Sequence, residues 1–225
     1  NMEYLGILKG IFIEDGRYQY IIKGLGFSLG VTGLAAVLGM LFGIFFALLR
    51  LSKISILEKI SIVYVDLIRG TPAVVQLMIL ANGVFIGNLR DTPILVVAAL
   101  AFGINSGAYV TEIIRSGIEG LDKGQMEAAR SLGMNYSIAM KDIILPQAIK
   151  RILPTLVSEF ITLLKETSIV GFIGGVDLLR SANIITSQTY RGVEPLLAVG
   201  VIYLILTALF TKLMRQVEGR LKVSD

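Results

Sequence analysis

The sequence predicts an all-α membrane protein with five transmembrane helices, on three observations. Hydrophobic residues make up 54% of the 225 positions and the mean hydropathy is +0.76, more apolar surface than a water-soluble domain of this length can hide. The charged residues, 17% of the chain, are spread very unevenly. None interrupts 24–49, 70–89, 92–111 or 195–211, and 152–176 is broken only by Glu159 and the Lys165–Glu166 pair. A spanning helix needs about 20 largely apolar residues, and each stretch supplies close to that. Finally, the runs are continuous and do not alternate, the pattern of helices and not of a β-barrel.

Taken in order, residues 1–23 read as an external amphipathic segment, with Leu5, Leu8, Ile11 and Phe12 at helical spacing. The first span, 24–49, is too long for a signal peptide and is followed by no small-residue cleavage site. Only the short stretch 50–59 separates it from the second span, so the two form an antiparallel hairpin. The second span is expected over 56–87, which takes Asp66 and Arg69 into the membrane. After a tight connection at 87–92, Pro93 suits the start of the third span, 92–114. A long loop, 116–149, leads to the fourth span at 150–172, and the fifth follows at 194–212. No low-complexity linker divides 24–225, which is treated as one domain. Gly26/Gly30, Gly39/Gly43, Gly83/Gly87 and Gly103/Gly107 share the spacing that lets helix backbones approach closely.

The chain has no cysteine and no histidine. That removes disulfides, thiolate metal sites, cysteine nucleophiles and the commonest general base. The pI of 9.3 needs no nucleic acid to explain it. If the first and third connections and the C-terminus are cytoplasmic, thirteen of the 21 Lys and Arg residues lie inside and six outside, with Arg69 and Lys165 in spans. That bias places the N-terminus outside and the C-terminus in the cytoplasm.

The long loop is the most informative segment. A helical stretch opens at Gly124–Gln125 and ends at Gly133, a natural residue to follow a helix. Met126, Ala129 and Leu132 share one face, and Glu127 and Arg130 are spaced to pair. A second stretch over 136–145 is expected to stop at Pro146. The product is a short helix across the membrane face, shaped to dock into a groove of a soluble partner.

Glu127-Ala128-Ala129, Gly133 after three further residues and Ile143-x-Leu145-Pro146 after nine more resemble the EAA loop of type I ABC importer permeases. Arg69-Gly70-Thr71-Pro72, Ala108-Tyr109-x-x-Glu112-x-x-Arg115-x-Gly117-Ile118 and Leu164-Lys165-Glu166-Thr167-Ser168 are similar to segments of its polar amino acid uptake subfamily. The resemblance covers nearly all of the chain beyond residue 20, with Ser158 standing where that subfamily has asparagine. It implies that Gln125, Glu127, Ala128, Ala129, Arg130, Leu132 and Gly133 form a coupling helix for a separate nucleotide-binding ATPase subunit. That subunit would hold ATP and Mg, and this chain contains no phosphate loop of its own. The resemblance further implies a second permease subunit, an extracytoplasmic amino-acid-binding protein, and a bacterial cytoplasmic membrane location. Residues 171–182 would then include a short external helix closing the outer mouth.

Ionisable groups inside a span are costly and mark either a pathway or a structural pair. At about 1.5 Å of rise per residue, Asp66, Arg69 and Asn105 fall near the midplane, with Tyr109 slightly deeper. One reading is a site for an amino acid zwitterion. Arg69 then takes the carboxylate, Thr71, Asn105, Tyr109, Thr162 and Ser168 surround it, and Asp66, Glu159 and Glu166 face an amino or guanidinium group. The other is that Arg69 pairs with Asp66 or Glu159, and Lys165 with a neighbour, purely to hold helices together. Three acids against two bases favour a cavity and a cationic substrate. Glu112 and Arg115 read as a pair anchoring the loop. Outside this class stand a secondary transporter or channel, which has no use for a docking helix, and a membrane enzyme, for which Ser168 beside Lys165 is the sole candidate and lacks an orienting base.

Overall fold

The computed structural model describes residues 2–84 and 91–222, and among them the secondary structure is entirely helical. Ten α-helices follow in order: α1 Met2–Phe12, α2 Tyr18–Arg50, α3 Ser55–Arg69, α4 Ala73–Ile79, α5 Ile94–Glu119, α6 Lys123–Ser131, α7 Tyr136–Ala139, α8 Leu145–Glu166, α9 Leu178–Thr189 and α10 Val193–Lys222. The break between α1 and α2 is made by Asp15 in a left-handed conformation (φ 54°). Arg17 closes it, donating to the Gly10 carbonyl at 2.7 Å and pairing with Asp15 at 2.6 Å. The first long helix thus begins at Tyr18, within the segment 1–23 expected to be external.

Two glycine pairs on facing helices set the centre of the fold. A Cβ on Gly103 would come within 2.6 Å of Leu38 Cβ, and one on Gly107 within 2.7 Å of both Phe42 Cβ and the Tyr64 hydroxyl. From the other side, a Cβ on Gly39 would lie 3.0 Å from Ser106 Cβ, and one on Gly43 would overlap Val110. Residues 30, 39 and 43 meet 95, 106 and 110 in turn, so α2 and α5 run parallel, backbone against backbone. The Thr111 hydroxyl spans the seam, reaching the Gly43 carbonyl at 3.3 Å as well as its own helix at Gly107. The outer pairs behave differently: Gly26 and Gly83 face open space, and Gly87 lies outside the described residues.

Around this seam the main core gathers Val31, Ala35, Leu77, Ala98, Phe102, Leu163 and Val170 from α2, α4, α5, α8 and the 3₁₀ turn Thr167–Ile173. A second, smaller core of Leu178, Ala182 and Val199 locks α9 between α2 and α10. As expected, α2 and α3 form a hairpin, fixed where the Ser61 hydroxyl donates to the Phe46 carbonyl at 2.8 Å and Tyr64 stacks on Phe46 at 3.8 Å.

Two expectations are corrected. The second span is not continuous over 56–87: α3 ends at Arg69 and the chain turns by 103° into α4, with residues 85–87 outside the described set. Pro72 has no N–H for a helix interior and takes an extended ψ of 136°, so it can only start a new helix. Likewise the helix of the long loop does not stop at Pro146. A π-helical turn at Met140–Ile144 carries α7 into α8, and Pro146 occupies the first turn of α8, where no N–H is needed. Among the described residues three helical stretches, Glu14–Arg50, Ile94–Glu119 and Val193–Gln216, are long and apolar enough to cross a membrane, and α3–α4 makes a fourth if counted as one bent span. The 22 residues of α8 include Lys150, Arg151, Glu159, Lys165 and Glu166, so α8 passes no such test by composition.

The glycine seam yields a stability prediction. Gly103→Val should lower the unfolding temperature of the purified protein in detergent, at a cost of about 1–3 kcal/mol from overpacking. Gly26→Ala, which meets nothing, should change stability by no more than about 0.5 kcal/mol.

Candidate polar pathway and coupling face

Three polar contacts sit at the middle of α5, whose 26 residues span about 39 Å. Asn105 is buried, and its amide donates to the Gln76 Oε1 of α4 at 2.9 Å. Gln76 in turn donates to the Ile68 carbonyl at 2.7 Å and to the Thr71 hydroxyl at 2.8 Å. The amide pair therefore satisfies carbonyls freed by the break between α3 and α4, the condition for irregular backbone at membrane depth. One position along, buried Ser106 points the other way and donates to Glu159 Oε1 of α8 at 2.9 Å. One turn further on α5, the Arg69 guanidinium lies over the Tyr109 ring, 5.2 Å from its centroid.

Of the residues expected to form a site, Thr71 and Asn105 are brought together through Gln76, Arg69 through Tyr109, and Glu159 through Ser106. Gln76 and Ser106 were not foreseen, although Gln76 is the single amide in the apolar sequence of α4. The alternative in which Arg69 pairs with Asp66 or Glu159 is not what forms: among the described residues no ion pair joins them. Thr162 is exposed, on a face of α8 shared with the exposed Thr155, Ser158 and Lys165. Opposite it, Ile152, Val157, Leu163 and Leu164 are buried in the bundle. A polar face at this depth does not suit lipid; it suits a water-filled path or another protein surface. Glu166 is half-buried at the C-terminal end of the same helix.

Ser168 stands apart. It lines a cavity of about 250 Å³ at the α9 end of the bundle together with Phe172, Asp177, Arg180 and Asn183. Asp177 caps α9, accepting from the N–H groups of Leu179 at 3.3 Å and Arg180 at 3.0 Å, and the helix is pinned to α2 where the Ser181 hydroxyl donates to the Tyr20 carbonyl at 2.8 Å. Gly24 makes room for that contact, since a Cβ there would overlap Ser181. Burial raises the Asp177 carboxyl above the usual carboxylate range, against the opposing pull of those N–H groups.

At the opposite end, α5 closes with Arg115 paired to Glu112, as expected, and also to Glu119. Beyond it, Asp122 caps α6 through the Gly124 N–H at 2.9 Å. Gly133 (φ 86°) ends it, with its N–H on the Arg130 carbonyl at 3.1 Å and that of Met134 on Ala129 at 3.2 Å. The helix packs on α7 and the π-turn. Ala129 is 5% exposed and turned into its own chain, where it seats the helix. Leu132, 85% exposed, leaves the face it was expected to share with Ala129, because it already lies in the cap. Gln125, Glu127, Ala128 and Arg130 are exposed, and among the described residues Glu127 and Arg130 form no ion pair.

Residues 39–223 match the family model described as the binding-protein-dependent transport system inner membrane component. The arginine transport system permease protein ArtQ of Bacillus subtilis (strain 168) is 41% identical over 211 residues, covering 93% of this chain and 95% of its own length. A putative glutamine transport system permease protein GlnP of Rickettsia bellii (strain RML369-C) is 39% identical, covering 92% and 95%. Among solved structures, an amino acid ABC transporter crystallised with histidines superposes with a TM-score of 0.85 and 45% identity, over 93% of this chain and 98% of that one. The inward-facing MetNI methionine ABC transporter, at a TM-score of 0.76 and 17% identity, over 91% of this chain and 97% of that one, shares the fold.

Two outcomes follow from the geometry. Gln76→Leu should cost about 1–3 kcal/mol, because it strands the buried Asn105 amide, and the double change with Asn105→Leu should recover part of that loss in detergent melting. For Asp177, a folded-state pKa above the unfolded value means its stabilising contribution is full below the unfolded pKa and is lost as pH rises through the folded one. Asp177→Asn, which keeps the cap, should therefore flatten this part of the melting-temperature profile.

Proposed function

The chain belongs to the family of binding-protein-dependent transport system inner membrane components, the membrane permease subunits of ABC importers, and on that premise we propose that it forms a path for polar, preferentially cationic, amino acids. In this family ATP hydrolysis is the work of a separate subunit. The observation that carries the proposal is the polar seam at mid-depth: Asn105, Gln76, Thr71, Ser106 and Glu159 beside the exposed polar face of α8. Covering that face with a second permease subunit, the same or a related chain, would close the path. The carboxylates of Asp66, Glu159 and Glu166 make no ion pair among the described residues, which supports a cationic substrate whose ammonium or guanidinium they could receive. The arginine permease relative agrees with this, and the glutamine permeases of similar likeness make glutamine the natural competitor.

The N-terminus lies outside and the C-terminus in the cytoplasm of a bacterial inner membrane, as the basic residues favour. On that orientation α6 is cytoplasmic and offers Gln125, Glu127, Ala128, Arg130 and Leu132 to an ATPase subunit, which holds ATP and Mg. On the same orientation the cavity beside α9 is on the side from which an extracytoplasmic binding protein delivers substrate.

Proteoliposomes containing the permease with its ATPase, loaded with ATP and given labelled arginine, test the proposal. Uptake should require ATP, survive collapse of ion gradients, and be competed by lysine more strongly than by glutamine. Glu159→Gln should lower arginine uptake by roughly tenfold while glutamine uptake changes little, the loss of one charged hydrogen bond. Ala128→Trp, on the exposed face of α6, should abolish copurification of the ATPase. Gradient-driven uptake by this chain alone would overturn the reading.

A further inference from the structure

A cavity of about 320 Å³ opens between α2, α5 and α8 at the end of the bundle where α6 lies. Its walls are apolar throughout, with Ile44 and Leu48 on α2, Leu51 just past its end, Ile118 on α5, and Leu145 and Ile149 on α8. Leu48 and Ile149 are 66% and 55% exposed, so the groove is open at the side. An apolar groove on a membrane-embedded surface takes hydrocarbon, and the charges at its end decide which kind. Lys53 follows Leu51 by two residues, and its ammonium is held 5.4 Å from the centroid of the Tyr136 ring. Lys141 lies one turn before Leu145, in the π-turn that leads into α8, and is exposed. The two lysines thus lie just beyond the ends of the two helices that form the groove walls, Lys53 after α2 and Lys141 before α8. Asp142 is the neighbouring acid on the π-turn, and Glu112 and Glu119 at the end of α5 are already engaged by Arg115.

We propose that this groove is a binding site for an anionic phospholipid, with an acyl chain between α2 and α8 and the phosphate headgroup between Lys53 and Lys141. Tyr136 contributes by holding the Lys53 ammonium at headgroup level, where aromatic rings and lysines are favoured together. The leaflet is the cytoplasmic one in the orientation proposed above, where anionic lipid attracts such cations. The site touches the coupling loop on both sides, since Tyr136 begins α7 and Lys141 belongs to the π-turn on which α6 packs. Anionic lipid therefore stiffens the support on which α6 rests.

Purified protein exchanged into mixed micelles of phosphatidylglycerol and phosphatidylcholine, followed by native mass spectrometry, tests the site directly. Wild-type protein should retain phosphatidylglycerol over phosphatidylcholine, and Lys53→Gln with Lys141→Gln should remove that preference, by about fivefold for each lysine. Leu48→Trp, which fills the groove and leaves both lysines, should reduce retention of phosphatidylglycerol while the melting temperature is unchanged. Equal retention of the two lipids by wild-type protein would overturn the proposal. So would efficient disulfide formation between two copies carrying Ile149→Cys, the sole cysteine in such a chain, because a second copy and not lipid would then cover the groove. Neither readout depends on transport, so failure here leaves the permease reading untouched.

Discussion

The close approach of α2 and α5 is the contact on which the other positions in this protein depend. Where Gly39 and Gly43 face Gly103 and Gly107, there is no room for a methyl group, and the two backbones meet almost without intervening side chains. In a bilayer, where hydrophobicity does not favour one helix contact over another, such packing supplies van der Waals energy over a long, well-matched surface. It also fixes rotation. With the glycine faces turned together, Asn105 and Ser106 of α5 have no freedom in direction: one must aim at α4 and the other at α8.

From that constraint follows the arrangement of polar groups at mid-depth. The 103° break after Arg69 would be costly in hydrocarbon because it frees backbone carbonyls. Gln76 satisfies two of them, at Ile68 and Thr71, and is itself held by Asn105. The broken span and the buried amide pair are therefore one feature. Glu159 is tied to α5 by a single hydroxyl, and Arg69 rests on an aromatic face, so the charged groups here are left without ion partners among the described residues. That suits a path better than a structural brace. The same rigid centre leads outward in both directions: through α9, pinned on α2 by Ser181 and Gly24, and through the Arg115 cluster into the loop that carries α6.

Much of this was legible before any coordinates. Continuous apolar runs announced helices, the charge bias suggested an orientation, and Gly133 and Pro93 marked helix boundaries where they are found. The spacing of Glu127-Ala128-Ala129, Gly133 and Pro146 singled out the loop. The misjudgements share a cause. Pro72 and Pro146 look alike as helix breakers, yet one begins a new helix after a sharp bend and the other is absorbed in a first turn behind a π-turn. Local sequence states that a hydrogen bond is missing; which neighbour compensates is a tertiary matter. Ala129 shows the same limit, since a small residue on a short helix looks equally fit for a partner or for its own chain.

What the sequence determined alone is therefore the one-dimensional part: which segments are helical and apolar, and where charges enter them. Each depends on interactions within a turn or two, or on transfer between water and lipid, and so is written in consecutive residues. The tertiary structure decided which glycine pairs pack, which of the intramembrane polar residues meet, and which face of α6 is free. Those choices depend on the rotation of helices about their own axes. A helix's rotation is set by the sum of contacts with several distant segments, and no single stretch of sequence contains that sum.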